Sequence, residues 1–141
     1  MGPRRRGRIL AVQALYSYEI RGGVDTDELI RFSWEEKEGD TEQIARDFAS
    51  LLVIGTIENL AEIDRVIQGH LEHWELKRVS KVDLSILRMS VYCLLFQKEM
   101  PSSVVIDEAV DISKELGAED TYRFVNGVLD SIRKSIDQNE L

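Results

Sequence analysis

Four arginines stand close together near the start of the chain, at Arg4, Arg5, Arg6 and Arg8. A guanidinium group is permanently charged, weakly hydrated and shaped to bind phosphate through two parallel N–H groups. The cluster stands out because the whole chain has a formal net charge of −8. It predicts a contact with a nucleic-acid backbone, and the alternative is a solvated, frayed terminus.

The residues that follow the arginines have the spacing of an amphipathic helix. Its apolar positions are Ala11, Ala14, Leu15 and Tyr18. Pro3 suits the first turn and Gly22 with Gly23 suits the end, so we predict a helix from Pro3 to Ile20. Because no linker separates the arginines from this helix, their position should be fixed, which favours the nucleic-acid interpretation.

Composition and length describe an ordinary soluble chain of one domain. The sequence has 141 residues, 43% of them apolar and 31% charged, with two prolines and nine glycines. No apolar run approaches the ~20 residues of a membrane span, and no signal-peptide pattern follows the basic start. The single cysteine, Cys93, lies in an apolar run and predicts a buried thiol in a reducing compartment. We therefore expect a cytoplasmic protein without membrane contact.

Only helices are predicted along the whole chain, so the fold class is all-α. Asp25 caps a short helix that extends to about Glu36. The next helix has an apolar stripe at Ile44, Phe48, Leu51, Leu52 and Gly55. Its phase shifts at Gly55, which we take as a hinge, and the apolar pattern then continues to Trp74.

The C-terminal part should be built around one buried helix. Ser80 caps it, and its residues are apolar nearly all round from Val82 to Phe96. Its Arg88 is interpreted as a paired structural charge. Two further helices follow, and their starts are set by Ser102 or Ser103 and by Glu119 or Asp120. Gly127 lies inside the last helix, and we attribute it to close contact with a neighbouring helix.

No constellation for catalysis is visible. The chain lacks a glycine-rich phosphate loop. His70 and His73 share a helix face, but no cysteine or third ligand accompanies them for zinc. Acidic pairs such as Asp107 with Glu108 have no nucleophile or base nearby in the sequence. We therefore predict no metal, no cofactor and no enzymatic activity.

Three blocks of residues occur in a specific order and spacing. The first is Arg4-Arg5-Arg6 followed by Ala11-Val12-Gln13-Ala14-Leu15-Tyr16; the second is Val82-Asp83, Ile86-Leu87-Arg88 and Tyr92; the third is Pro101, Val105-Ile106-Asp107-Glu108-Ala109-Val110 and Phe124-Val125-Asn126-Gly127-Val128-Leu129. Together they resemble the NusB family of transcription antitermination factors, over nearly the whole chain. The region from about 22 to 81 shows little match beyond its helical pattern.

The resemblance implies one NusB-like domain, 1–141, of about seven helices in two packed subdomains, at about 1–57 and 58–141. It implies that the protein binds the boxA element of single-stranded nascent RNA together with NusE, a ribosomal protein. The pair would be loaded on elongating RNA polymerase in an antitermination complex and would support transcription of ribosomal RNA. The oligomeric state, a homodimer included, and the RNA sequence preference stay open.

The resemblance also implies site residues by matched position. The candidate RNA-binding residues are Arg4, Arg5, Arg6, Arg8, Gln13, Tyr16, Lys81, Arg123 and Phe124. The candidate partner-binding residues are Tyr16, Asp83 and Asp120. Single-stranded RNA is held by cations along its backbone and by aromatic rings that stack on bases. Tyr16 and Phe124 suit that role, with core packing as the alternative, and Asp83 is expected at an exposed helix end.

Two other functions remain open at the level of sequence. The chain could be a helical module that docks proteins while its partner alone contacts RNA. It could also be a targeting domain related to those of RNA cytosine methyltransferases, although its 141 residues leave no room for a catalytic domain.

Overall fold

A computed structural model describes the whole chain, Met1–Leu141. It contains seven α-helices, one 3-10 turn and no strand, which confirms the all-α prediction. The chain divides into two compact units, Met1–Glu58 and Asn59–Leu141. None of the helices combines the length and the apolar character needed to cross a membrane.

The first unit is built on two long helices. Helix α1 covers Pro3–Ile20, the short α2 covers Thr26–Leu29, and α3 covers Asp40–Glu58. Helices α1 and α3 lie against each other. Their backbones approach closely at Gly7, where an added Cβ would lie 2.7 Å from the carbonyl oxygen of Ala45 and 2.9 Å from Cδ2 of Phe48. A residue without a side chain is therefore required at this crossing.

One expectation for this unit was wrong, and a second was wrong in part. Helix α2 ends at Leu29 rather than near Glu36, because Phe32 is fully buried in a left-handed conformation with φ of 49°. On α3, Ile44 and Leu51 are exposed and Phe48 is half-buried, whereas Leu52 and Gly55 of the predicted stripe are buried. The buried face also contains Ala45, Ala49, Val53 and Thr56. The small Ala45 lies where the backbone of α1 approaches most closely, at Gly7.

The second unit surrounds one buried helix. Helix α4 covers Leu60–Gly69, a 3-10 turn covers Leu76–Arg78, α5 covers Lys81–Phe96, α6 covers Ser102–Leu116 and α7 covers Thr121–Asp137. Helix α5 contacts all three of the other helices, and every residue from Asp83 to Leu94 is buried. The prediction of a central helix is therefore confirmed.

Polar groups inside the second unit are satisfied in part by one ion pair. Nε and Nη2 of Arg88 donate hydrogen bonds of 2.9 Å to the two carboxylate oxygens of Asp64. This confirms Arg88 as a paired structural charge.

The prediction of a hinge at Gly55 was wrong, because α3 continues through Gly55 and the helical path breaks at Asn59. Trp74 lies in a loop, since α4 ends at Gly69.

Candidate nucleic-acid interface

The four arginines occupy the first turns of α1 and are not equally accessible. Arg4 is exposed, Arg5 and Arg6 are half-buried, and Arg8 is only 5% exposed. Because α1 begins at Pro3, all four stand on regular helix rather than on a frayed end. Their guanidinium groups therefore have defined positions within the first unit.

Arg6 is bound by two carboxylates of the same unit. It donates to Glu42 Oε1 at 3.1 Å and also forms an ion pair with Glu35. The backbone N–H of Lys37, together with the Arg6 guanidinium, holds the pKa of the Glu35 carboxyl below its usual value. The charge of Arg6 is thus compensated inside the protein, and its role as an RNA contact stays a prediction.

Phe48 of α3 contacts two other arginines with its ring. The guanidinium carbon of Arg4 is 5.6 Å from the ring centroid, and that of Arg8 is 5.2 Å away. Both distances are within the range of cation–π attraction. The ring therefore helps to fix the direction of both side chains. The sequence pattern had placed Phe48 only in the apolar stripe of α3.

Further along α1, two candidate residues reach the surface. Tyr16 is 40% exposed, so its ring is not part of the core. Gln13 is exposed, and its Oε1 accepts a hydrogen bond of 3.2 Å from Nε1 of Trp34. Trp34 is itself 44% exposed. The sequence analysis did not name Trp34 as a candidate site residue. Its position among the charged residues of the loop 33–38 was the signal that this aromatic ring is exposed.

In the second unit, Asp83 is buried, which contradicts the expected exposed position. Only 4% of it is accessible, and its Oδ1 has no hydrogen-bond partner. Burial raises the pKa of this carboxyl, although Ser80 and Thr121 lie close enough to oppose the rise. Asp83 belongs to the N-terminal turn of α5, whose helix cap is the Ser80 hydroxyl.

Asp83 borders a cavity of about 410 Å³, which we call the acidic cavity. Its lining residues include Asp83, Asp120, Arg78 and Phe124. The structure therefore brings together two candidate partner-binding residues and one candidate RNA-binding residue. Lys81 is half-buried at the start of α5 and does not line this cavity.

Phe124 is half-buried and contacts a second aromatic residue that the sequence interpretation did not assign to a site. The centroid of its ring lies 6.1 Å from that of Trp74, with the two planes 43° apart. Trp74 is 53% exposed. The neighbouring Arg123 is exposed, and its Nε donates to the hydroxyl of Tyr122 at 3.3 Å.

The fold and these surfaces define a class: an all-helical protein of two units, with arginines on the first turns of its first helix. Residues 5–134 match the model of the NusB family. The transcription antitermination protein NusB of Treponema denticola is 48% identical over 130 residues, which are 92% of this chain and 95% of that protein. The chain therefore belongs to the NusB family.

Solved structures agree with this assignment. A structure of NusB from T. maritima superposes with a TM-score of 0.82 at 39% identity and covers 100% of both chains. A crystal structure of the antitermination factors NusB and NusE in complex with double-stranded RNA gives a TM-score of 0.79 at 29% identity. It covers 94% of this chain and 97% of the other. The fold is therefore that of NusB over its full length.

Proposed function

We propose that this protein is a transcription antitermination factor that binds boxA-type single-stranded RNA together with NusE. In this function it helps to load the RNA on elongating RNA polymerase and supports transcription of ribosomal RNA, without acting as an enzyme. The observation that carries the proposal is the arginine cluster on the first turns of α1, in a chain of net charge −8. The likeness to a NusB structure that contains NusE and RNA supports it.

The RNA contact in this proposal begins at the exposed end of α1. Arg4 offers its guanidinium to a phosphate, and Arg5 stands next to it on the same turn. Tyr16 lies on the same helix and exposes 40% of its surface, so its ring is available to stack on a base. Cationic and aromatic groups on one rigid helix are the two elements by which proteins hold single-stranded RNA.

The acidic cavity is the proposed contact with NusE. Asp83 Oδ1 is buried without a hydrogen-bond partner, and such a carboxylate is costly in free energy. Asp120 adds a second carboxylate at the cavity wall. A lysine, an arginine or a backbone N–H of NusE that enters the cavity would donate to Asp83 and remove this cost. The partner group is therefore expected to be a hydrogen-bond donor.

A gel shift with boxA-type RNA tests the proposal, with and without NusE. We expect the parent protein to shift the RNA most strongly when NusE is present, and the Arg4→Gln/Arg5→Gln double variant to bind less. Arg21→Gln is the matched control, because Arg21 is an exposed arginine at the other end of α1 that pairs with Glu28 at 3.0 Å. Unchanged binding by the double variant, with a strict need for NusE, would assign the RNA contact to the partner alone.

A further inference from the structure

We infer that a second cavity of the Asn59–Leu141 unit, the Trp74 slot, binds a base of single-stranded RNA. The slot has a volume of about 330 Å³, within the usual range of ~300–1,000 Å³ for sites that hold small ligands. The residues that matter for its chemistry are Glu72, Trp74, Arg123, Phe124, Gly127 and Ser131. The inference rests on the proposed function, because it concerns the same RNA.

Two aromatic rings line the slot and also border the acidic cavity beside it. Trp74 and Phe124 have ring centroids 6.1 Å apart, and both residues line the cavity. Trp74 leaves 53% of its surface exposed, although tryptophan gains more than most residues from burial. An exposed aromatic pair at the edge of a cavity is a stacking surface for a planar ligand.

Gly127 supplies an independent observation. It lies inside α7, where glycine is less favourable than alanine. The expected close contact with a neighbouring helix is absent, because an added Cβ would meet no atom within 4 Å. The packing of the protein therefore does not require glycine here. Gly127 lines the Trp74 slot, so a side chain at this position would take space from the slot without displacing another part of the protein.

The polar groups of the slot favour a nucleobase over an apolar side chain of a protein partner. Glu72 offers a carboxylate and Ser131 a hydroxyl, and both can hydrogen-bond the edge of a base. Arg123 adds a cation, and its Nε is bonded to the phenol of Tyr122 rather than to a carboxylate. A nucleotide combines a flat ring, a polar edge and a phosphate, and the slot has one group for each.

Two variants test the inference, by titration of a fluorescein-labelled boxA-type RNA in the presence of NusE. We expect Trp74→Ala to weaken RNA binding roughly 5- to 150-fold, the value of one stacked base. We expect Gly127→Ala to weaken RNA binding as well, while raising the melting temperature, because alanine favours the helix. Opposite signs in the two measurements separate a ligand effect from a structural one.

Matched controls come from the same unit. Phe96→Ala removes an aromatic residue that is 40% exposed but lies outside the slot, and Gly69→Ala fills open space at another helical glycine. Both should bind RNA like the parent.

A fluorescence measurement gives a second readout. In a Trp34→Phe background, Trp74 is the only tryptophan of the chain, and its fluorescence should be quenched by RNA.

Three results would overturn the inference. RNA binding by Trp74→Ala and Gly127→Ala at the parent level is one, and unquenched Trp74 fluorescence at saturating RNA is another. A loss of NusE binding with RNA binding intact would assign the slot to a protein side chain instead. If these variants bind RNA normally while Arg4→Gln/Arg5→Gln does not, the inference alone fails. If the parent and NusE together bind no RNA, the proposed function fails as well.

Discussion

Arg4 and Arg6 provide a direct test of how the arginine cluster works. They lie two residues apart on α1, and the same change to glutamine removes one positive charge from each. Arg6 is held by Glu35 and Glu42, whereas Arg4 is exposed beside the Phe48 ring. We therefore expect Arg6→Gln to reduce the stability of the fold and Arg4→Gln to reduce RNA binding.

The expected magnitudes follow from burial. The side chains of Arg6 and Glu42 are 15% and 9% exposed, and that of Glu35 is 20% exposed. Removing one partner of a fully buried pair costs about 3–5 kcal/mol, and the remaining solvent contact lowers this to about 1–3 kcal/mol here. At roughly 4 °C per kcal/mol, the melting temperature should fall by about 4–12 °C. Arg4→Gln loses one exposed cation–π contact, worth less than about 1 kcal/mol.

RNA binding should show the reverse order. A phosphate contact by Arg4 contributes about −0.7 to the slope of log affinity against log salt for single strands, so Arg4→Gln should flatten the slope by about that amount. Arg6→Gln should leave the slope unchanged when binding is measured well below its melting temperature. Thermal melts and fluorescence anisotropy at several salt concentrations give both quantities. The reasoning is refuted if Arg6→Gln melts like the parent and flattens the slope as Arg4→Gln does.

Three further changes have expected outcomes. Burial raises the pKa of Asp83, so the folded state favours the protonated carboxyl. This stabilisation is full below the unfolded pKa of ~3.9 and is lost as pH rises through the raised pKa of the folded state. Asp83→Asn should therefore melt at a higher temperature than the parent at neutral pH, and the difference should close in melts at pH ~4. Arg88→Met leaves Asp64 without its partner and should cost about 2–4 kcal/mol in urea unfolding, whereas no loss would show that the pair is replaceable. Gly7→Ala forces a Cβ against Phe48 and should cost about 1–3 kcal/mol, and a stable variant would contradict the close helix crossing.

Helix ends that depend on local chemistry could be predicted from the sequence. Pro3 begins α1 and Ser80 caps α5, because a fixed φ and a hydroxyl acceptor act within one turn. The length of α2 could not be predicted, since it is limited by the burial of Phe32 in a left-handed conformation. That burial depends on packing between distant segments.

The candidate site was predictable where charge and composition mark it and unpredictable where packing decides. The arginine cluster is visible in the sequence. The sequence does not show that the charge of Arg6 is compensated, because its partners Glu35 and Glu42 lie 29 and 36 residues away. The burial of Asp83 and the open space at Gly127 likewise depend on neighbours in three dimensions. A helical pattern alone does not contain that information.

The position of Cys93 has a consequence for measurements of motion. It is the only cysteine of the chain, and it lies in the last turn of α5 with 2% of its surface accessible. A thiol reagent can reach it only when the packing around α5 opens transiently. The rate of modification therefore reports how often the interior of the second unit is breached, without any engineered probe. Comparing this rate with and without RNA or NusE would reveal whether binding at the surface suppresses these openings.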